Sequence, residues 1–98
     1  MHQAQLLAAG AVSRVLAGHS LTQALQELVA RQPGLSPQQR AAAQDLSYGA
    51  VRFYGLLRAV LRRLVPKPLK DDTVRCLLLV ALYQLAFTKA SAHSVVDN

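Results

Sequence analysis

The stretch between Pro37 and Pro66 contains no residue that must end a helix, and this constrains the fold more than any other feature. Its apolar residues recur with the helical period and fall on one face of a helical wheel: Ala43, Leu46, Ala50, Phe53, Leu57, Val60, Leu61 and Leu64. We therefore predict one long amphipathic helix between the two prolines, kinked at Gly49 and Gly55.

Start and stop signals predict two helices before this stretch. Apolar spacing indicates a first helix from about Gln3 to Ala17, which Gly18 can end. A second helix should run from about 21 to 31, because Ser20 can cap its start and Pro33 follows its end. Ser36, Pro37 and Gln39 repeat the start signal in a stronger form.

Two further helices are predicted after Pro66. Asp71 or Asp72 can cap a helix whose segment from Val74 to Phe87 is apolar almost all round, so we expect it at the centre of a bundle. His93 to Asn98 should begin another helix. Leu and Ala dominate, and these residues favour helices. The prediction is an all-α bundle of about five helices, with residues 1–98 forming a single domain.

Composition and motifs exclude several classes of protein. Hydrophobic residues make up 52% of the sequence and charged residues 16%, so the chain should fold. The apolar run from Cys76 to Leu82 is too short for a membrane span, and no charged region precedes a signal-like segment, so we expect a cytoplasmic protein. No phosphate loop or nucleophile-base motif is present, so catalysis and a cofactor in this segment are not expected.

Cysteine and histidine offer little chemistry here. Cys76 is the single cysteine, which excludes an internal disulfide, and its apolar neighbours favour an inert core residue. His2, His19 and His93 lie far apart in sequence, so a metal site is not expected.

A cluster of basic residues is the one functional signal in the residues themselves. The formal net charge is +6, and between Arg40 and Arg75 eight basic side chains accompany three acidic ones. A net positive charge of this kind attracts polyanions. Nucleic acid is the first candidate partner, and an anionic membrane is the second. The candidate RNA-binding residues are Arg52, Arg58, Arg62, Arg63, Lys67 and Lys70.

Other roles for these residues stay open. The cluster could be an ordinary solvated helix face, and Arg52 could pair with Asp45. Tyr48 and Leu56 lie toward the arginine side, where packing is the expected role and base stacking the alternative.

Three segments make the chain resemble a known family: LAGHSLTQAL (16–25), DLSYGAVR (45–52) and LLLVALYQLAFTKASAHSVVDN (77–98). Together they resemble the NusB-like domain, and within it the N-terminal domain of bacterial ribosomal RNA cytosine-C5 methyltransferases of the RsmB (Sun/Fmu) type. The family's aromatic-Gly-x-x-Arg segment is matched by Tyr48, Gly49 and Arg52. Its Leu-Tyr-Gln-Leu segment is matched at 82–85, and its following histidine by His93.

The resemblance implies a NusB-like fold that helps place ribosomal RNA for an attached methyltransferase domain. That domain would bind S-adenosylmethionine and supply the catalytic cysteines. Cys76 matches neither the family's catalytic cysteines nor its cofactor loop. The family places arginine early in the first helix, where this sequence has His2, Gln3, Ala4 and Gln5, so RNA contacts are expected in the later basic cluster. The family domain also continues through further helices, which suggests that the chain is an N-terminal fragment.

A fragment would leave apolar surface uncovered around Leu78 and Leu82, so we expect self-association. Other functions remain possible from the sequence. One is a NusB-type transcription antitermination factor that binds RNA with a ribosomal protein. Another is a module that docks on its own methyltransferase domain or on a ribosomal protein, and a third is a small structural or oligomerising helical protein.

Overall fold

A computed structural model describes residues 2–87, and within this range the chain forms five α-helices and no strands. Their bounds are α1 His2–Leu16, α2 Leu21–Ala30, α3 Pro37–Arg52, α4 Tyr54–Leu64 and α5 Asp72–Phe87. The all-α prediction is confirmed. The helix predicted to begin at His93 lies outside the described residues. No helix between residues 2 and 87 is both long enough and apolar enough to cross a membrane.

The predicted helix boundaries are held by local hydrogen bonds. The Ser36 hydroxyl accepts a hydrogen bond from the Gln39 backbone N–H, while the Gln39 side chain accepts one from the Ser36 N–H. This complete capping box fixes the start of α3. Gly18 has a φ of +103°, a left-handed conformation that favours glycine and lets the chain turn away after α1.

The single kinked helix expected between Pro37 and Pro66 is instead two helices, α3 and α4. The chain breaks at Phe53, with φ −104° and ψ 21°, between the two glycines at which kinks were expected. At the break the Phe53 ring stacks on Phe87, with ring centroids 4.2 Å apart, and lies 6.4 Å from the Tyr83 ring. Contacts with distant aromatic residues therefore accompany this break, and they cannot be seen in the local pattern.

The break also alters which side chains are buried. Ala43, Leu46, Ala50, Leu57 and Leu61 are buried as predicted, but Val60 is 37% exposed and Leu64 is 65% exposed. The helical wheel assumed a continuous axis, and α4 begins anew after Phe53, so its core-facing side is narrower than the wheel implied.

Helices α1, α3 and α5 form the centre of the described bundle, since α1 packs against both of the others and they pack against each other. Small residues allow this close approach: the buried positions of α1 are Ala4, Leu7, Ala8, Ala9, Ala11 and Val12. The predicted central place of α5 is partly right. Cys76, Leu79, Val80 and Tyr83 are buried, whereas Leu85 is 62% exposed.

Candidate nucleic-acid interface

Three of the six predicted RNA-binding residues lie together. Arg58 and Arg62 on α4 and Lys67 in the following loop line one cleft of about 340 Å³. Helix α4, the loop over residues 65–71 and helix α5 all contribute side chains to its lining. The remaining lining residues are Tyr54, Leu61, Val65, Pro66, Pro68, Leu69, Arg75 and Leu79.

Helical spacing explains how α4 builds its wall. Tyr54, Arg58, Leu61 and Val65 follow one another at intervals of three or four residues, and Arg62 lies four residues after Arg58. This spacing places the five residues on one side of the helix. This spacing was a usable signal in the sequence. The contributions of Leu69 and Leu79 could not be predicted locally, because they depend on how the loop returns to α5.

The loop over residues 65–71 contains Pro66 and Pro68, and each proline ring fixes its own φ. The next helix begins at a cap, since the Asp71 carboxylate accepts a hydrogen bond of 2.9 Å from the Thr73 N–H. The prediction of an aspartate cap is thereby confirmed, and this cap anchors the end of the loop at α5.

Arg75 reaches the cleft from α5, although sequence reasoning counted it only in the basic cluster and not among the candidate RNA contacts. Its guanidinium Nη2 donates to the Asp72 carboxylate, which also accepts a hydrogen bond from the Ser13 hydroxyl of α1. The Nε atom is buried and has no hydrogen-bond partner within the described residues. Arg75 is therefore positioned by Asp72 yet retains an unused donor.

The positive charge around the cleft is largely uncompensated. Within residues 2–87 the ion pairs are Arg14 with Glu27 and Arg75 with Asp72. Arg58, Arg62 and Lys67 are exposed and take part in neither pair. Cations left free in this way can bind an anion without first giving up an internal partner.

The other three predicted residues lie outside the cleft lining. Arg63 and Lys70 are exposed, and the Arg52 guanidinium lies over the Phe53 ring, 5.5 Å from its centroid. The alternative pairing of Arg52 with Asp45 does not occur in this structure. Asp45 instead accepts a hydrogen bond of 3.4 Å from the Tyr83 hydroxyl.

The two aromatic or apolar residues noted beside the arginines differ in their surroundings. The Tyr48 hydroxyl is hydrogen-bonded to the Thr22 hydroxyl at 2.9 Å, which ties α3 to α2 and agrees with a packing role. Leu56 is 58% exposed, so the expectation that it packs against a neighbouring helix is wrong.

Two of the segments that carried the family resemblance, 45–52 and the described part of 77–98, contact each other in the core. A Cβ atom at Gly49 would overlap the Tyr83 ring, so only glycine allows α3 and α5 to approach this closely here. Burial, together with the neighbouring Asp45 carboxylate, raises the pKa of the Tyr83 hydroxyl. Gln84 accepts a hydrogen bond of 2.6 Å from the Gln5 side chain on α1. These motif residues hold helices together.

Cys76 is fully buried, as predicted. Burial, followed by the nearby Asp72 carboxylate, raises the pKa of the Cys76 thiol, which keeps it in its unreactive protonated form. Within the described part of the chain, no three His, Cys, Asp or Glu residues are grouped so that they could hold a metal ion.

Comparison with known proteins decides the family. The sequence model described as "NusB family" matches residues 2–98. The chain belongs to the NusB family. A protein named ribosomal RNA small subunit methyltransferase B from Sodalis glossinidius is 40% identical over 94% of this chain and 21% of its own length. Its namesake from Pseudomonas putida is 35% identical over 96% of this chain and 22% of its own length.

A shorter match is closer in identity: the protein of the same name from Pasteurella multocida is 46% identical over 56% of this chain and 13% of its own length. The NusB-family chain thus spans at most about a fifth of the length of these curated relatives. The resemblance to the N-terminal part of RsmB-type methyltransferases is confirmed. No solved structure matches the chain significantly.

Proposed function

We propose that this NusB-family chain is a non-catalytic RNA-binding domain that helps position ribosomal RNA for an attached cytosine-C5 methyltransferase domain. The observation that carries the proposal is the group of unpaired cations on α4 and the 65–71 loop. Its relatives are named as ribosomal RNA methyltransferases, so ribosomal RNA is the polyanion that we propose as its ligand. A cytoplasmic location follows from that substrate.

The methyl donor S-adenosylmethionine would belong to the attached domain. The cleft does not fit this cofactor, because Arg58, Arg62, Lys67 and Arg75 would repel its positively charged sulfonium. Its lining also offers no Asp or Glu among the described residues to accept hydrogen bonds from ribose hydroxyls. The proposed contribution of this chain is therefore binding and placement of RNA.

The salt dependence of RNA binding tests this proposal. If about four cations neutralise phosphates, the affinity for single-stranded RNA should fall with salt at a log-log slope of about −3. Fluorescence anisotropy over a series of salt concentrations measures the slope. A flat response would contradict the electrostatic basis of the proposal.

A second candidate function is docking on another protein, for which α4 supplies an observation. Leu56, Val60 and Leu64 are exposed at intervals of four residues and form an apolar stripe along one side of the helix. Titration of a separately produced catalytic domain of a relative should give saturable binding if this stripe serves docking. The absence of binding would exclude that role for the isolated domains.

A further inference from the structure

The cleft between α4 and α5 combines two kinds of surface that a purely electrostatic RNA contact would not need. Part of its lining is apolar, because Leu61, Leu69 and Leu79 line it and Tyr54 adds an aromatic ring. Part of its lining is cationic, since Arg58, Arg62 and Lys67 also line it and are exposed. A ligand that matches this cleft must carry both an apolar group and an anionic group.

The size of the cleft narrows the choice of ligand. Its volume of about 340 Å³ falls at the lower end of the range typical for small-molecule sites, roughly 300–1,000 Å³. That space suits one nucleotide and is far too small for a section of double helix. Because paired bases are stacked inside a duplex, only an unpaired base could enter.

The walls are held in place before any ligand binds. Leu61 and Leu79 are buried in the main hydrophobic core, and the prolines and the Asp71 cap restrict the loop between them. Arg75 is oriented by its bond to Asp72 and keeps one buried donor unused beside the cleft. A preformed cleft avoids part of the entropic cost of binding.

We propose that this cleft binds a single unpaired nucleotide of an RNA strand. The base packs against Tyr54, Leu61 and Leu69, and the adjoining phosphates contact Arg58, Arg62 and Lys67. The inference rests on the proposed RNA-binding function and refines it, since it makes the domain select single-stranded RNA over duplex RNA. Stacking of bases on aromatic side chains is the usual way in which proteins hold single strands.

Two adjacent arginines provide a matched test of the RNA contact. Arg62 and Arg63 are both exposed on α4, but only Arg62 lines the cleft. Arg62→Gln and Arg63→Gln remove the same charge, so a general electrostatic attraction would weaken equally in both variants. We expect Arg62→Gln to lower the affinity for a single-stranded oligonucleotide about tenfold. The loss of affinity in Arg63→Gln should be several-fold smaller.

These binding experiments distinguish failure of the cleft site from failure of the proposed RNA-binding function. Salt-sensitive RNA binding that is reduced equally in the two variants would overturn the cleft site and leave the proposed function standing. Failure of the unaltered chain to bind any RNA would overturn the proposed function itself. Equal affinity of the unaltered chain for single-stranded and duplex RNA would also overturn the cleft site.

A mononucleotide tests the base contact directly. Adenosine 5′-monophosphate, titrated into the leucine-methyl-labelled chain, should shift the NMR signals of Leu69 and Leu79 while leaving that of Leu25, in a separate cluster, unchanged. Ribose 5-phosphate carries the same anion without a base and should shift neither cleft signal appreciably. Equal shifts with both compounds, or none with either, would overturn the placement of the base.

Discussion

Gly49 lies where α3 passes against the Tyr83 ring, and an added methyl group there has no space. In Gly49→Ala either the ring or the helix must move, so we expect the free energy of unfolding to fall by about 1–3 kcal/mol. Gly55→Ala is the matched control, since nothing lies within 4 Å of its Cβ position and alanine favours helix. Urea unfolding measures both, and equal effects would contradict the packing role of Gly49.

The buried thiol of Cys76 should make the free energy of unfolding depend on pH. Burial raises the pKa of this thiol in the folded chain above the ordinary value of 9.0. The stability that depends on the neutral thiol is therefore fully present below the unfolded pKa and is lost as pH rises through the folded pKa. The unaltered chain should therefore lose more stability between pH 7 and about pH 9.5 than Cys76→Ala does. Urea titrations at the two pH values measure the difference, and identical losses would contradict this assignment.

Among the helices, the break between α3 and α4 is the clearest example of a tertiary effect. Phe53→Ala removes the stacking on Phe87 and Tyr83, and we expect the free energy of unfolding to fall by about 2 kcal/mol. Leu56→Ala, an exposed change on α4, should alter it by less than about 0.5 kcal/mol. If urea unfolding gave equal losses for the two variants, the aromatic stack would not be what stabilises the break.

The helix boundaries could be predicted because their causes are local. Ser20, Ser36, Asp71 and Gly18 act on residues within one turn of themselves. The break at Phe53 could not be predicted, since its stacking partners are remote in sequence. The cleft could be predicted only in part. The helical spacing of Tyr54, Arg58 and Arg62 is visible in the sequence, but the way in which the loop returns to α5 is not.

Within residues 2–87 the molecule has several large apolar side chains exposed on its surface. Leu56, Val60 and Leu64 on α4 and Leu85 and Phe87 on α5 are all exposed. We predict that the chain self-associates, because burying such surface is favourable. Light scattering should show a mass that rises with concentration, and a monomer mass independent of concentration would contradict the prediction.

The basic surface of α4 is the proposed RNA interface, and removing the same charge at two different places tests it. Arg58, Arg62 and Arg63 are changed together to Ala in one variant, and Arg14, Arg31 and Arg40 in a control with the same net charge. Circular dichroism establishes that both variants remain helical before any comparison of binding.

Fluorescence anisotropy with a labelled single-stranded RNA, at low and at physiological salt, is the decisive measurement. We expect salt-sensitive binding that is lost in the first variant and largely kept in the control. Equal binding by the unaltered chain and the first variant, or equal losses in both variants, would contradict an RNA interface on α4.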